Sequence, residues 1–255
     1  KKMEGLVLAA GYATRLYPVT LTQSKCLLKV AGKPMIDYVI EKLLPLPGLK
    51  TIYVVSNAKY YDSFKEWLDS YSSNKPKIPI ELVNDGSTDD SNKLGAIGDI
   101  QFVIKNKNIN TDLLIIAGDN LLTGSIDGFL RFCKQKNSPV LGVYDIKQLS
   151  EVSKYSSVVV DSTEKIVDFI EKPADPKNTK IGIALYYYPK SVLPLFDKYI
   201  SEGNNKDQPG RFVQWLYKLQ PVYACEIPGI WFDVGDINVL EKAEKFLLNK
   251  KESNA

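Results

Sequence analysis

The sequence runs to 255 residues with a formal net charge of +3, 44% apolar and 25% charged residues, a balance that belongs to a folded globular protein and excludes a disordered or fibrous chain. It contains no histidine, which removes histidine-based nucleophilic triads and histidine-ligated zinc and leaves any chemistry to Asp, Glu, Lys, Arg and backbone groups. No apolar run reaches bilayer-spanning length and basic residues do not cluster before Lys250-Lys251, so neither a membrane nor a nucleic acid is expected as partner.

The N-terminal run Glu4-Gly5-Leu6-Val7-Leu8 is too short for the core of a signal peptide and reads as a first strand, Leu6–Ala9. Further apolar runs predict strands at Thr51–Ser56, Ile80–Asn84 and Leu113–Ala117. Between them lie helical patterns at Pro34–Leu44, Ala58–Tyr71 and Leu94–Asn106, the first carrying Met35, Ile36, Val39, Ile40 and Leu43 at helical spacing. Alternation of this kind predicts a Rossmann-like α/β fold with a mostly parallel central sheet flanked by helices. The polar stretch Asp85–Lys93 reads as a mobile loop. After about Asp145 the pattern becomes extended, at Ser157–Asp161, Ile166–Glu171 and Ile181–Tyr188, and predicts a small mixed or antiparallel extension. Helices return at Ser191–Ser201, at about Gly210–Lys218 and at Ile237–Leu248, the last capped by Asp236. Tyr186-Tyr187-Tyr188 reads as strand core. Cys26, Cys133 and Cys225 lie far apart without metal-ligand spacing, which points to free thiols, a reducing compartment and the cytoplasm.

The chemistry concentrates after the first strand, in Leu8-Ala9-Ala10-Gly11-Tyr12-Ala13-Thr14-Arg15-Leu16 followed by Lys25. Small residues there let backbone N–H groups approach a triphosphate, while Arg15 supplies a cationic fork. The spacing is neither that of a Walker A loop nor that of a dinucleotide fingerprint.

This stretch resembles the signature of the sugar-nucleotide pyrophosphorylases, the sugar-1-phosphate nucleotidyltransferases, written approximately L-A-x-G-x-G-T-R-L and followed by a lysine. Ser24-Lys25-Cys26-Leu27-Leu28 looks most like the glucose-1-phosphate thymidylyltransferases, and Gly32-Lys33-Pro34-Met35-Ile36 is typical of the wider family. Ala13 stands where the family usually has a second glycine. The resemblance implies a condensation of a nucleoside triphosphate with a sugar-1-phosphate that releases pyrophosphate. It assigns Arg15 and Lys25 to catalysis and Ala9, Ala10, Gly11, Tyr12, Ala13, Thr14, Leu94 and Gly95 to the nucleotide. Gly118-Asp119-Asn120 and Trp231-Phe232-Asp233-Val234-Gly235 resemble elements that supply Mg²⁺ ligands, here Asp119 and Asp233. Glu171-Lys172-Pro173 resembles the motif that holds sugar and sugar phosphate, so Glu171, Lys172 and Asn120 are assigned to the sugar phosphate. Gly210-Arg211-Phe212, with Asp207-Gln208-Pro209, falls where relatives carry polar residues near the sugar.

The family lends residues 1–145 to the nucleotide half and residues 146–255 to the sugar half and C-terminal helix, one nucleotidyltransferase domain in all, with a homo-oligomer expected. Gly95-Ala96 lacks the glutamine that thymidylyltransferases place nearby, and Ala184 occupies the place of a family glycine. Two alternatives therefore stand beside the sugar-phosphate reading: another phosphate acceptor, such as phosphocholine or a heptose or mannose phosphate, and a non-catalytic nucleotide-binding regulatory module.

Overall fold

The computed structural model describes residues 2–72 and 76–253. Strand β1 (Met3–Leu8) is buried on both faces, as its unbroken apolar run requires of a central parallel strand. β2 (Leu49–Ser56) and β3 (Ile80–Asn84) add in parallel on one side of β1. The chain then returns, and β4 (Asp112–Ala117) pairs in parallel on the other side of β1. The strands that follow are β5 (Val140–Asp145), β6 (Ser156–Val160), β7 (Ile166–Glu171), β8 (Lys180–Tyr188) and β9 (Tyr223–Glu226). The central sheet has seven strands in the order β9-β5-β8-β4-β1-β2-β3. β8 alone runs against its neighbours, antiparallel to both β4 and β5, while β6 and β7 form a separate antiparallel pair.

The helices are α1 (Met35–Leu43), α2 (Tyr61–Ser72), α3 (Ala96–Asn106), α4 (Asp127–Lys136), α5 (Leu195–Ser201), α6 (Gly210–Leu216) and α7 (Ile237–Ser253). Successive strand residues point to opposite faces, and this divides the core in two. Val7, Leu114, Ile116 and Tyr187 join Ile36, Ile40, Phe64, Trp67 and Phe129 of α1, α2 and α4. Leu6, Leu113, Ile115, Tyr186 and Tyr188 join Ile97, Val103, Phe196 and Phe212 of α3, α5 and α6. A third cluster, Leu16, Leu28, Val30, Met35, Leu121, Val234 and Ala243, packs the segment after β1 against α7, the short strand Leu121–Leu122 and the loop that carries residue 234.

β1 and β4 are neighbours whose connections leave in opposite directions, so a crevice opens beyond their C-terminal ends, where open α/β sheets bind ligands. Residues 9–16 and 118–120 follow directly from those two ends.

Several predicted boundaries move. Ile181–Tyr188 belongs to the central sheet as β8, not to the extension; its extended, aromatic-rich run suits either place. The helix predicted from Pro34 begins at Met35, because Pro34 pairs with Lys29 in a short hairpin. The helix predicted from Leu94 begins at Ala96, with Gly95 at φ 77 as its N-cap. Ser191–Ser201 is broken into a 3₁₀ turn, Lys190–Val192, and α5, with Pro194 capping α5. The polar loop is anchored at its start, where Asp85 and Ser87 are buried. Asp236 does cap the last helix, its carboxylate accepting the Val239 N–H at 3.0 Å, and all three cysteines are free. Among the described residues no helix is long and apolar enough to cross a membrane.

Candidate functional site

The segment after β1 leaves the sheet with Ala9 and Ala10 buried, the Ala9 N–H bonded to Val55 O at 2.9 Å and Ala10 O accepting from the Asn57 amide at 3.0 Å. Gly11 then comes to the surface. A Cβ built on it meets no atom within 4 Å, and its backbone is not left-handed, so this chain's own packing does not demand glycine there. What the missing side chain gives is bare backbone open to an incoming group. Ala13 takes the left-handed conformation, φ 46 and ψ 49, and opens the 3₁₀ turn Thr14–Leu16 that projects Arg15. Alanine thus adopts the backbone that glycine supplies at no cost, with a penalty of about 1 kcal/mol. The Thr20 hydroxyl donates to Ala13 O at 2.8 Å and holds the turn.

Lys25 opens a second 3₁₀ turn, Lys25–Leu27, capped by Ser24, whose hydroxyl accepts the Cys26 N–H. Its ammonium lies 2.7 Å from Asp119 Oδ2, at the end of β4. Burial works against the charge on Lys25, but the neighbouring carboxylates, Asp119 first and then Asp233, outweigh it and raise its pKa, so Lys25 is a fixed cation at neutral pH. Gly118 lets the two strand ends meet. Its N–H donates to Leu8 O at 2.8 Å, and a Cβ there would come within 2.9 Å of Cys26 Sγ and 3.2 Å of Leu8 O.

Asp233 accepts a hydrogen bond from the Tyr155 hydroxyl on Oδ2 at 2.7 Å. Arg15, Tyr155, Trp231, Asp233 and Asp236 line one open cleft of about 510 Å³. The fold therefore draws Arg15, Lys25, Asp119 and Asp233 together from four separate stretches of sequence. Each of the two carboxylates is engaged through Oδ2, by Lys25 and by Tyr155 respectively. Two carboxylates without a third ligand fit a hard cation such as Mg²⁺ that takes its remaining ligands from water and phosphate oxygens. Among the described residues no cluster of three or more His, Cys, Asp or Glu could form a closed protein cage.

Asn120 is 6% exposed and its amide is spent on the scaffold, accepting from Trp231 Nε1 at 2.7 Å and donating to Ala184 O at 3.0 Å. It thereby fixes Trp231 in the cleft wall, where Tyr155 meets the indole edge-on. Glu171 ends β7, its N–H bonded to Gln214 of α6 at 2.8 Å. Burial pushes its carboxyl up to about 7, against the opposing pull of Arg211 and Lys172. Gly210 packs so closely on Glu171 that a Cβ there would lie 2.3 Å from Oε2, which brings the Asp207–Phe212 segment beside the Glu171 carboxyl. Lys172, exposed and left-handed at φ 49, is tied by its N–H to Tyr155 O at 2.6 Å. Tyr155 thus joins the Glu171-Lys172 turn to Asp233. Gly95 packs against residues 206 and 207, with Ala96 N and Ile97 N bonded to Asp207 O and Lys206 O, so the segment that opens α3 adjoins the one that flanks Glu171.

Two features lie outside what the spacing of residues announced. Tyr155 carries no motif of its own beside Ser156. Asp85 and Asp99 are both buried and in hydrogen-bonding contact, and burial together with Asp85 pushes the Asp99 carboxyl far above the ordinary range, so it is protonated at neutral pH. A pair of aspartates 14 residues apart signals nothing until the fold brings β3 against α3.

Residues 4–250 match the family model described as nucleotidyl transferase. The chain is 28% identical over 250 residues to the bifunctional protein GlmU of Methanocaldococcus jannaschii, covering 97% of this chain and 55% of that protein. It is 27% identical over 264 residues to the glucose-1-phosphate adenylyltransferase of Clostridium novyi, covering 98% of this chain and 68% of that protein. The chain thus spans between half and about two thirds of these curated relatives. A solved UDP-glucose pyrophosphorylase complexed with UDP-glucose shares the fold, with a TM-score of 0.81 at 20% identity, covering 98% of this chain and all of that one.

Proposed function

The chain belongs to the nucleotidyl transferase family, and we propose that it condenses a nucleoside triphosphate with a sugar-1-phosphate to give a nucleotide sugar and pyrophosphate. The observation that carries this reading is the Lys25–Asp119 pair at 2.7 Å, set at the switch point of the sheet with Asp233 beside it and the open backbone of Gly11 in the same segment. The names of the relatives support the substrate classes.

A sugar-phosphate oxygen attacks the α-phosphorus in line. The new P–O bond forms as the bond to the bridging oxygen breaks, and pyrophosphate leaves. The nucleophile is already ionised near neutral pH, so no general base is required, in keeping with a chain that has no histidine. Catalysis then rests on position and charge. The N–H groups from Gly11 to Thr14 receive the phosphates, while Ala9, whose own N–H is held by Val55 O, and Ala10 form the buried base of the cradle. Arg15 takes the charge that grows on the β,γ-phosphates as they leave, and Lys25, a permanent cation, steadies the α-phosphate. Lys172 holds the incoming phosphate and Glu171 accepts sugar hydroxyls. Leu94 and Gly95 border the base. Asp119 and Asp233 would hold Mg²⁺, which when bound neutralises charge on the reacting phosphates.

The test is a panel of triphosphates and sugar-1-phosphates with Mg²⁺, read by pyrophosphate release. Arg15→Ala is expected to lower kcat by about 10²-fold or more, and Asp119→Ala to abolish the response to Mg²⁺. Turnover that survives both changes intact would refute the assignment.

A further inference from the structure

The phosphate cradle and the segment that opens α3 are far apart in sequence, yet one chain of buried polar groups reaches from the first to the second. Tyr12, inside the cradle, turns its ring inward and is 3% exposed. Its hydroxyl meets Ser87 Oγ at 2.9 Å. Ser87 is held in turn by its N–H, which donates to Asp85 Oδ1 at 2.8 Å, and by its carbonyl, which accepts the Ala58 N–H at 2.8 Å. Asp85 hangs from the end of β3, with its N–H on Ser56 O at 2.9 Å. Its other oxygen, Oδ2, is buried with no N–H or hydroxyl donor among the described residues facing it, and so is Asp99 Oδ1 in the first turn of α3, which leaves the partner carboxyl as the one source of a proton for either. The two carboxyls are in hydrogen-bonding contact, an arrangement that needs a proton between them, since two ionised carboxylates would repel. Asp99 N–H closes the chain on Gly95 O at 2.8 Å.

Burying two carboxyl groups is costly, and apolar side chains of similar size would fill the same space more cheaply. The mechanism above makes no use of either group. Both ends of the chain, however, fall on segments assigned to the nucleotide. We propose that Tyr12, Ser87, Asp85 and Asp99 form a positioning relay for the nucleoside triphosphate, in which a proton shared by the two buried carboxyls fastens the cradle after β1 to the Gly95 segment at the start of α3. The proposal rests on the nucleotidyltransferase reading. None of the four needs to touch the reacting phosphorus through its side chain; they fix the spacing between the cradle that takes the phosphates and the segment that borders the base.

The relay makes a prediction that bulk destabilisation does not. Asp99→Asn keeps a donor facing Asp85, whereas Asp99→Ala leaves Asp85 Oδ2 buried and unanswered. Isothermal titration of the full chain with ATP, CTP, GTP, UTP and dTTP in turn, with Mg²⁺ present, measures the effect directly. Asp99→Ala is expected to weaken the Kd of the bound triphosphate about tenfold, the loss of one hydrogen bond to a charged group. Asp99→Asn should restore it to within about twofold, and in steady-state assays the KM for the sugar phosphate should stay unchanged in both. Tyr12→Phe and Ser87→Ala remove only hydroxyls, and each should weaken the triphosphate Kd several-fold; they carry the test if Asp99→Ala does not fold. Unchanged triphosphate affinity in a folded Asp99→Ala, or in both hydroxyl variants, overturns the relay. An Asp99→Asn variant as weak as Asp99→Ala overturns it too. A wild-type chain that binds none of the five triphosphates overturns the function itself, an outcome distinct from the others.

Discussion

Ala13 is the residue at which sequence and geometry part most visibly. The family signature has glycine there, and the backbone keeps the glycine conformation with φ at 46. Ala13→Gly is therefore expected to raise stability by roughly half a kcal/mol, about 1 kcal/mol of left-handed strain removed less the roughly 0.4–1 kcal/mol of entropy that glycine loses on folding. Urea unfolding should show a higher midpoint with an unchanged slope. Tyr155 makes a second prediction. Its hydroxyl is the partner of Asp233 Oδ2, and groups that orient a metal ligand are commonly worth 10- to 100-fold in metal affinity or activity. Tyr155→Phe should raise the Mg²⁺ concentration that half-saturates pyrophosphate release by about tenfold or more. Glu171 gives a pH dependence. Burial raises its carboxyl to about 7, so it is neutral below that pH and, in its proposed role, an acceptor for sugar hydroxyls above it. Its folded pKa exceeds the unfolded value, so whatever stability it adds is present at low pH and lost as pH rises through about 7, while sugar affinity moves the other way. The KM for the sugar phosphate should fall between about pH 6 and pH 8 in the wild type. Glu171→Gln should remove that part of the fall and leave only the titration of the phosphate itself.

At the scale of elements, what was legible followed from continuous apolar runs. β1, β2 and β4 are buried on both faces or nearly so, and their Val, Ile and Leu runs announce this; β3, at the sheet edge, buries only Val83 and is readable from its short β-branched run alone. β5, β9 and α4 were missed. β9 is a four-residue edge strand, Tyr-Ala-Cys-Glu, too short to show a period. α4 places only Phe129, Leu130 and Cys133 in the core, with Gly128 in its first turn, so its pattern is weak. β8 was seen as a strand but misplaced, since only pairing across the sheet decides whether a strand is central. The junction of β1 and β4 yields its own test. Gly118→Ala would press a methyl group against Cys26 Sγ and Leu8 O, and overpacking of this kind costs about 1–3 kcal/mol. Thermal unfolding should fall accordingly, and activity should fall further than stability alone explains, because Asp119 moves with its neighbour.

For the whole molecule, the candidate site was readable as a set of short motifs but not as a place. Arg15, Lys25, Asp119 and Asp233 could each be picked out in the sequence, and only the family resemblance, not their spacing, implied that they share one crevice. The sheet order says it: the return from β3 to β4 puts Asp119 beside the segment that follows β1, and the third core cluster docks the loop of residue 234 onto the same segment. The Asp85–Asp99 contact is legible only in three dimensions for the same reason. The central claim is the reaction itself, and ³¹P NMR of one mixture tests it most directly. With Mg²⁺, a triphosphate and its matching sugar-1-phosphate, the account predicts equimolar loss of both substrates and the appearance of a diphosphate-bridged nucleotide sugar and pyrophosphate. Release of inorganic phosphate and a nucleoside diphosphate with the sugar phosphate untouched, or no change with any pair, would contradict it.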